Sequence, residues 1–200
     1  PEAFWCGSQG YFGFITNATL KLNETPTDKA ALMMGTSNLE LIFSSLDRFQ
    51  DALPLRMAEL ITEPALNSVA TKSFFSETYP YYLLIEADTN QGNSDALLAS
   101  CEQIYSQEEF YGSDMILTQS ETERINLIQA REEISDSLRT DAKNSKQKLL
   151  GFDIQVPRHR YAEFDNTLNT IIDTQLSGTV AAFGHLIPQP GMASIHYNIL

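Results

Sequence analysis

From Ala30 to Leu200 the chain alternates short runs of β-forming residues with stretches of helical periodicity. That alternation restricts it to folds in which helices pack on a sheet. Strands are expected over Ala30–Met34, Leu55–Ile61, Tyr81–Glu86, Met115–Thr118 and Phe152–Val156. Two more fall in the last apolar stretches, Val180–Ile187 and Met192–Leu200. Between them, Ser37–Phe49 places Ile42, Ser45, Leu46 and Phe49 on one helical face, with Ser37 or Asn38 as the cap. Glu63–Thr71 reads as a helix that tolerates Pro64 in its first turn. Asp88–Ser94 is polar and reads as a loop, followed by a helix to about Glu109. Ser120 and Glu123 match a capping box and open the longest helix, to about Arg139. Lys143–Lys148 reads as a basic, solvated loop. Arg158–Gln175 is a helix whose inner stripe holds Tyr161, Phe164, Leu168 and Ile171 or Ile172. Ahead of this array, Phe12–Leu22 also reads as strand. The pattern predicts an α+β domain, a ferredoxin-like antiparallel sheet with helices packed on one face.

Two hundred residues with eleven Phe suffice for one packed domain, or one domain and a fragment of another. A formal charge of −13 disfavours nucleic-acid phosphate and anionic membrane as partners. No apolar run approaches a membrane span, and no signal peptide is evident. Cys6 and Cys101 have no metal spacing and form no disulfide framework, so a cytoplasmic location fits. Cys101 reads as a small buried hydrophobe. The chain opens at Pro1 inside an apolar, Gly-rich stretch and reads as a piece of a longer protein.

Chemistry-bearing residues stand out where their environment is wrong for them. Arg131 falls within the apolar stripe of Leu127, Ile128, Ile134 and Leu138, with Ser135 one turn on. A guanidinium there needs an anion: an internal carboxylate, or a substrate carboxylate matched to its bidentate fork, unless it snorkels to solvent. His185 and His196 lie in otherwise apolar strands, separated by Pro188, Pro190 and Gly191. They are either structural imidazoles bonded to backbone, or a base or metal pair meeting across a hairpin. Two ligands do not complete a catalytic metal site, which usually takes three from the protein. Arg158-His159-Arg160 places positive charge at a helix start, which invites an anion or makes a solvated cluster. Asp88, Asp95, Glu108 and Glu109 read as solvated or capping carboxylates.

The segment from Gly7-Ser8-Gln9-Gly10-Tyr11-Phe12-Gly13-Phe14-Ile15-Thr16 to Leu22 resembles the stretch that ends the FAD-binding domain of FAD-linked oxidases. Arg131-Glu132 with Ser135, then Phe152-Asp153-Ile154-Gln155-Val156-Pro157, is similar to a helix and strand of their C-terminal domain. Phe183-Gly184-His185-Leu186 and Ile195-His196-Tyr197-Asn198 resemble the two ends of that domain's histidine hairpin. Order and rough spacing agree along nearly the whole chain, and the resemblance points to the group holding D-lactate, glycolate and D-2-hydroxyglutarate dehydrogenases.

The resemblance implies that residues 1–25 end the FAD-binding domain and 26–200 form a cap, or substrate, domain. It implies that Arg131, Ser135 and Asn198 bind a 2-hydroxy acid, and that His185 and His196 act in catalysis and hold a divalent metal such as zinc. Gly7, Ser8, Gly13 and Ile15 would lie along FAD. The implied activity is oxidation of a D-2-hydroxy acid to a 2-oxo acid, with hydride transfer to FAD, in the full-length protein. The electron acceptor stays open, and a homodimer is compatible with the chain. The family's tight turn between the histidines is replaced here by the longer Ile187–Ser194, and a lysine of the D-2-hydroxyglutarate enzymes falls on Gly151. The alternative reading is a non-catalytic ferredoxin-like module, or a structural subunit of a multi-chain oxidase.

Overall fold

The computed structural model describes residues 5, 7–22, 29–69, 74–88, 99, 101–103, 106, 113–176 and 178–200. Among these, the strands are β1 (Lys29–Thr36), β2 (Leu55–Thr62), β3 (Tyr81–Asp88), β4 (Asp114–Leu117), β5 (Leu150–Pro157), β6 (Val180–His185) and β7 (Met192–Ile199). They form one antiparallel sheet in the order β4-β1-β3-β2-β6-β7-β5. The helices are α1 (Leu39–Ala52), α2 (Glu63–Asn67), α3 (Glu121–Ser145) and α4 (Arg158–Ile171), the last running on through a π-helical turn, Ile172–Leu176.

The α+β class and the antiparallel sheet are as the sequence predicts, but the helices cover both faces rather than one. Residues alternate sides along a strand. Leu32 and Met34 of β1 therefore meet Ile42, Leu46 and Phe49 of α1, in a cluster that also holds Tyr161 of α4. Ala31 and Met33 join Ala65 and Leu66 of α2 and Leu127, Ile134 and Leu138 of α3. Nearly every residue of β1 is buried, because it is covered on both sides. β7 instead alternates between buried and half-buried residues, and β5 is largely exposed. The layer of α2 and α3 thus stops short of β7 and β5, leaving one face of that end of the sheet open.

Local chemistry sets the element ends. Asn38 caps α1 by accepting from the Glu40 amide at 3.0 Å. Ser120 accepts from the Glu123 amide at 3.2 Å, while Glu123 reaches back to the Gln119 amide at 2.7 Å. α3 runs past the expected end at Arg139, because Ala142 extends the buried stripe of Leu127, Ala130, Ile134 and Leu138. Lys143–Ser145 is therefore helix rather than loop, and Lys146 closes it in the left-handed region at φ 59°. α2 is shorter than expected, five residues. Asp88 ends β3 rather than opening a loop. Residues 12–22 form no strand, and Phe12, Phe14, Ile15, Leu20 and Leu22 are exposed. Most of the loop and helix expected between Asp88 and Glu109, with Asp95, Glu108, Glu109 and also Cys6, lies outside the described residues. Cys101 is buried, and burial pushes its thiol up to about 12.

On the α1/α4 face, α4 buries Asp165 among three tyrosines. Tyr81 donates to it at 3.2 Å and Tyr197 at 3.3 Å, and the Tyr161 hydroxyl is hydrogen-bonded to that of Tyr197 at 2.8 Å. Burial raises the Asp165 carboxyl above the usual aspartate range, against the lowering effect of the two tyrosine hydrogen bonds.

Candidate substrate site

The open end of the sheet carries the residues that the sequence singles out. His185 ends β6 and pairs across the ladder with Glu59 of β2 on one side and Ser194 of β7 on the other. His196 pairs with Phe183 of β6 and Asp153 of β5. The period of two puts Phe183, His185, Ser194, His196, Asn198, Asp153 and Gly151 on the same side, that of α3. The strands meet closely here because residue 184 is glycine. A Cβ on Gly184 would lie 2.2 Å from the Ser194 carbonyl oxygen and 2.7 Å from the Ile195 Cα.

Glu59 organises this group. It is 1% exposed, on a strand position that otherwise calls for an apolar side chain. One oxygen accepts from Arg131 Nε of α3, and the other lies 2.9 Å from His185 Nδ1. Arg131 also lays its guanidinium over the Phe183 ring, 5.4 Å from the centroid. Its charge is thus satisfied by an internal carboxylate, one of the readings its spacing left open. Glu59 engages only the Nε edge, so the terminal Nη groups are left for a further acceptor.

His185 and His196 face each other edge-on, with centroids 5.9 Å apart. His196 packs on Phe183 at 5.3 Å and bonds Asp153 through Nδ1. Both rings therefore turn Nδ1 to a carboxylate. A ring donating from Nδ1 carries its lone pair on Nε2, the tautomer suited to taking a proton. The two side chains are 50% and 38% exposed, and their Nδ1 contacts are to carboxylates rather than to backbone.

Two imidazoles are half of a tetrahedral donor set. Among the described residues no group of three or more His, Cys, Asp or Glu is placed to hold a metal ion. The residues present do not complete a site for zinc.

Asn198 lies on the same face, two residues beyond His196, between Ala181 and Gly151 in the ladder. Ser135 is half-buried, one helical turn past Arg131. Arg131, His185 and His196 thus form one continuous group through Glu59 and Phe183, with Asn198 and Ser135 on the elements that carry it. Gly7, Ser8, Gly13 and Ile15 stand apart, in an exposed to half-exposed segment where Gly7 and Gly13 have φ of 73° and 136°. The basic turn does not present a free anion site through Arg158. Its guanidinium is tied to Asp47 at 3.0 Å and to the Leu186 and Met192 carbonyls, pinning the β6–β7 connection to α1. Glu59 was missed by sequence reasoning. Its signal was a lone carboxylate at the strand position between Met57 and Ile61, in step with their inward faces.

Residues 25–200 match the family of FAD linked oxidases, C-terminal domain. The chain is 30% identical over 202 residues to a D-2-hydroxyglutarate dehydrogenase of Stutzerimonas stutzeri, covering 97% of this chain and 40% of that one. A D-2-hydroxyglutarate dehydrogenase of Xanthomonas citri pv. viticola is 26% identical, again over 97% of this chain and 40% of the relative. The fold is shared with alkyldihydroxyacetonephosphate synthase, with TM-score 0.67, 12% identity, and coverage of 99% of this chain and 40% of that one. It is shared too with 4-ethylphenol oxidase from Gulosibacter chungangensis, with TM-score 0.60, 11% identity, and coverage of 88% and 39%. No described helix is long and apolar enough to cross a membrane. With all the strands and helices named above inside the matched region, the chain belongs to the FAD linked oxidase family and carries that family's C-terminal domain.

Proposed function

We propose that this chain is the substrate-binding cap of a longer flavoprotein that oxidises a D-2-hydroxy acid to a 2-oxo acid. The observation that carries the reading is the Glu59 bridge, which fixes a guanidinium and an imidazole side by side on the open face of the sheet. In this reading residues 1–25 close the FAD-binding domain and 26–200 form the cap; the family match over residues 25–200 supports that division. Cytoplasmic residence belongs to the same reading, supported by the acidic surface and the buried Cys101 thiol.

The Arg131 Nη groups bind the substrate carboxylate, with Ser135 and Asn198 supplying further polar contacts. The 2-hydroxyl then faces the imidazole pair. Nε2 of His185 or His196 takes the hydroxyl proton as the C2–H bond breaks, leaving a C2 carbonyl. Glu59 and Asp153 act through the rings they hold, fixing tautomer and orientation. FAD, when bound, accepts the hydride. Gly7, Ser8, Gly13 and Ile15 are the residues of this chain that would lie along it; positive φ at Gly7 and Gly13 favours glycine there, and the missing Cβ leaves the backbone open to close approach.

The test is steady-state oxidation of D-2-hydroxy acids by the full-length protein with a dye acceptor. Turnover that needs the D-enantiomer, with KM raised about a hundredfold by Arg131→Met, is expected from the loss of a charged hydrogen-bonded pair. A flavin-loaded full-length protein that oxidises no 2-hydroxy acid would overturn the reading.

A further inference from the structure

The face that carries the histidines continues into a cavity of about 660 Å³. It lies between the start of β2, the end of β6 and the connection to β7, and its volume is that of a small-molecule pocket. His185, Glu59 and Ser194 form its inner wall. Met57, Ile187, Pro188 and Met192 supply apolar lining.

The charged groups of this cavity pair with one another. Arg56 faces two carboxylates, Glu86 at 3.8 Å and Asp88 at 3.4 Å. Glu86 is also paired with Arg124, which Glu121 holds from the other side at 2.6 Å. Glu59 is taken by Arg131 and His185. Gln155 donates to Gln189 at 2.9 Å. A carboxylate entering here would meet Arg56 already flanked by Glu86 and Asp88, with Glu59 on the same lining, in a chain whose formal charge is already −13. An aliphatic chain meets no such repulsion and gains from leaving water.

We propose that this cavity receives the side chain of the 2-hydroxy acid and selects an uncharged aliphatic chain over one that ends in a carboxylate. The inference rests on the 2-hydroxy-acid reading above and adds the substrate class to it. Arg131 would hold the 1-carboxylate, His185 would stand at the junction, and C3 onward would extend toward Met57 and Met192.

The experiment compares kcat/KM of the full-length flavoprotein for D-2-hydroxybutyrate against D-malate, and for D-2-hydroxyvalerate against D-2-hydroxyglutarate, pairs equal in carbon number. The monocarboxylate is expected to exceed its partner at least tenfold, and each added methylene to raise kcat/KM roughly fourfold. Two variants give independent readouts. Met192→Ala should flatten the dependence on chain length. Asp88→Asn, which loosens the hold on Arg56, should narrow the gap between mono- and dicarboxylate. Preference for the dicarboxylate in both pairs overturns the inference while leaving 2-hydroxy-acid oxidation intact. Absence of turnover with all four acids overturns the functional reading and this inference together.

Discussion

Glu59 holds Arg131 through Oε2 and His185 through Oε1, so one buried carboxylate joins the longest helix to the end of β6. Removing it strands the guanidinium of a side chain that is only 16% exposed. Glu59→Ala should therefore destabilise the chain by about 3 kcal/mol, as breaking a buried ion pair does. Combining Glu59→Leu with Arg131→Met should recover most of that loss, since two apolar groups leave no unpaired charge. Urea unfolding midpoints of the single and double variants check both statements.

Asp153 holds His196 from the solvent side, with its own side chain 84% exposed. A carboxylate–imidazole contact this exposed contributes little to stability, at most about 1 kcal/mol. Asp153→Ala should thus leave the urea midpoint nearly unchanged. In the full-length enzyme it should lower kcat about tenfold, a typical effect of losing a carboxylate that orients a functional histidine. Equal losses in stability and kcat would speak for a structural role instead.

Gly184 lets β6 and β7 approach where the histidines meet. A methyl at this position would press on backbone, the Ser194 carbonyl and the Ile195 Cα, rather than on a movable side chain. Gly184→Ala should cost about 3 kcal/mol, at the upper end for overpacking. It should also separate the imidazoles, which a ring-to-ring nuclear Overhauser effect between His185 and His196 would register as a loss of intensity.

Asp165 gives the fold a pH dependence remote from the site. Its carboxyl is raised by burial, so the folded state keeps a proton that the unfolded state has already released. Its contribution to stability is full below the ordinary aspartate range and is lost as pH rises through the raised folded value. Asp165→Asn cannot titrate. The melting temperature of the variant relative to the parent should accordingly increase from pH 4 to pH 8. A difference that stays flat or falls over that interval would contradict the assignment.

Much of the architecture is legible in local pattern. Ile42, Ser45, Leu46 and Phe49 share a helical face in the sequence and are buried together in α1. Ser120 and Glu123 announce the start of α3 and cap it as expected. The stretch 12–22 shows the limit of such reading. Its β-forming composition is that of a strand, yet a strand needs a partner ladder and none is present among the described residues. α3 runs beyond the expected end at Arg139 for a related reason. Lys143 looks like loop by charge alone, but Ala142 still packs one turn beyond Leu138 and carries the helix on.

The α+β class, the order of the elements and the oddity of Arg131, His185 and His196 are written in the linear chain, because periodicity and misplaced polarity are local properties. Which side chains those residues answer to is settled by the fold. Glu59 is 72 residues from Arg131 in the chain, and Asp153 is 43 from His196. Such pairs arise from strand register and from the crossing of a helix over a sheet, neither of which a single sequence encodes in adjacent positions. Tertiary structure also decided that both sheet faces carry helices and that β7 and β5 are left uncovered on one of them. The reach of α2 and α3 across the sheet is what exposes the histidine pair and the cavity beside it.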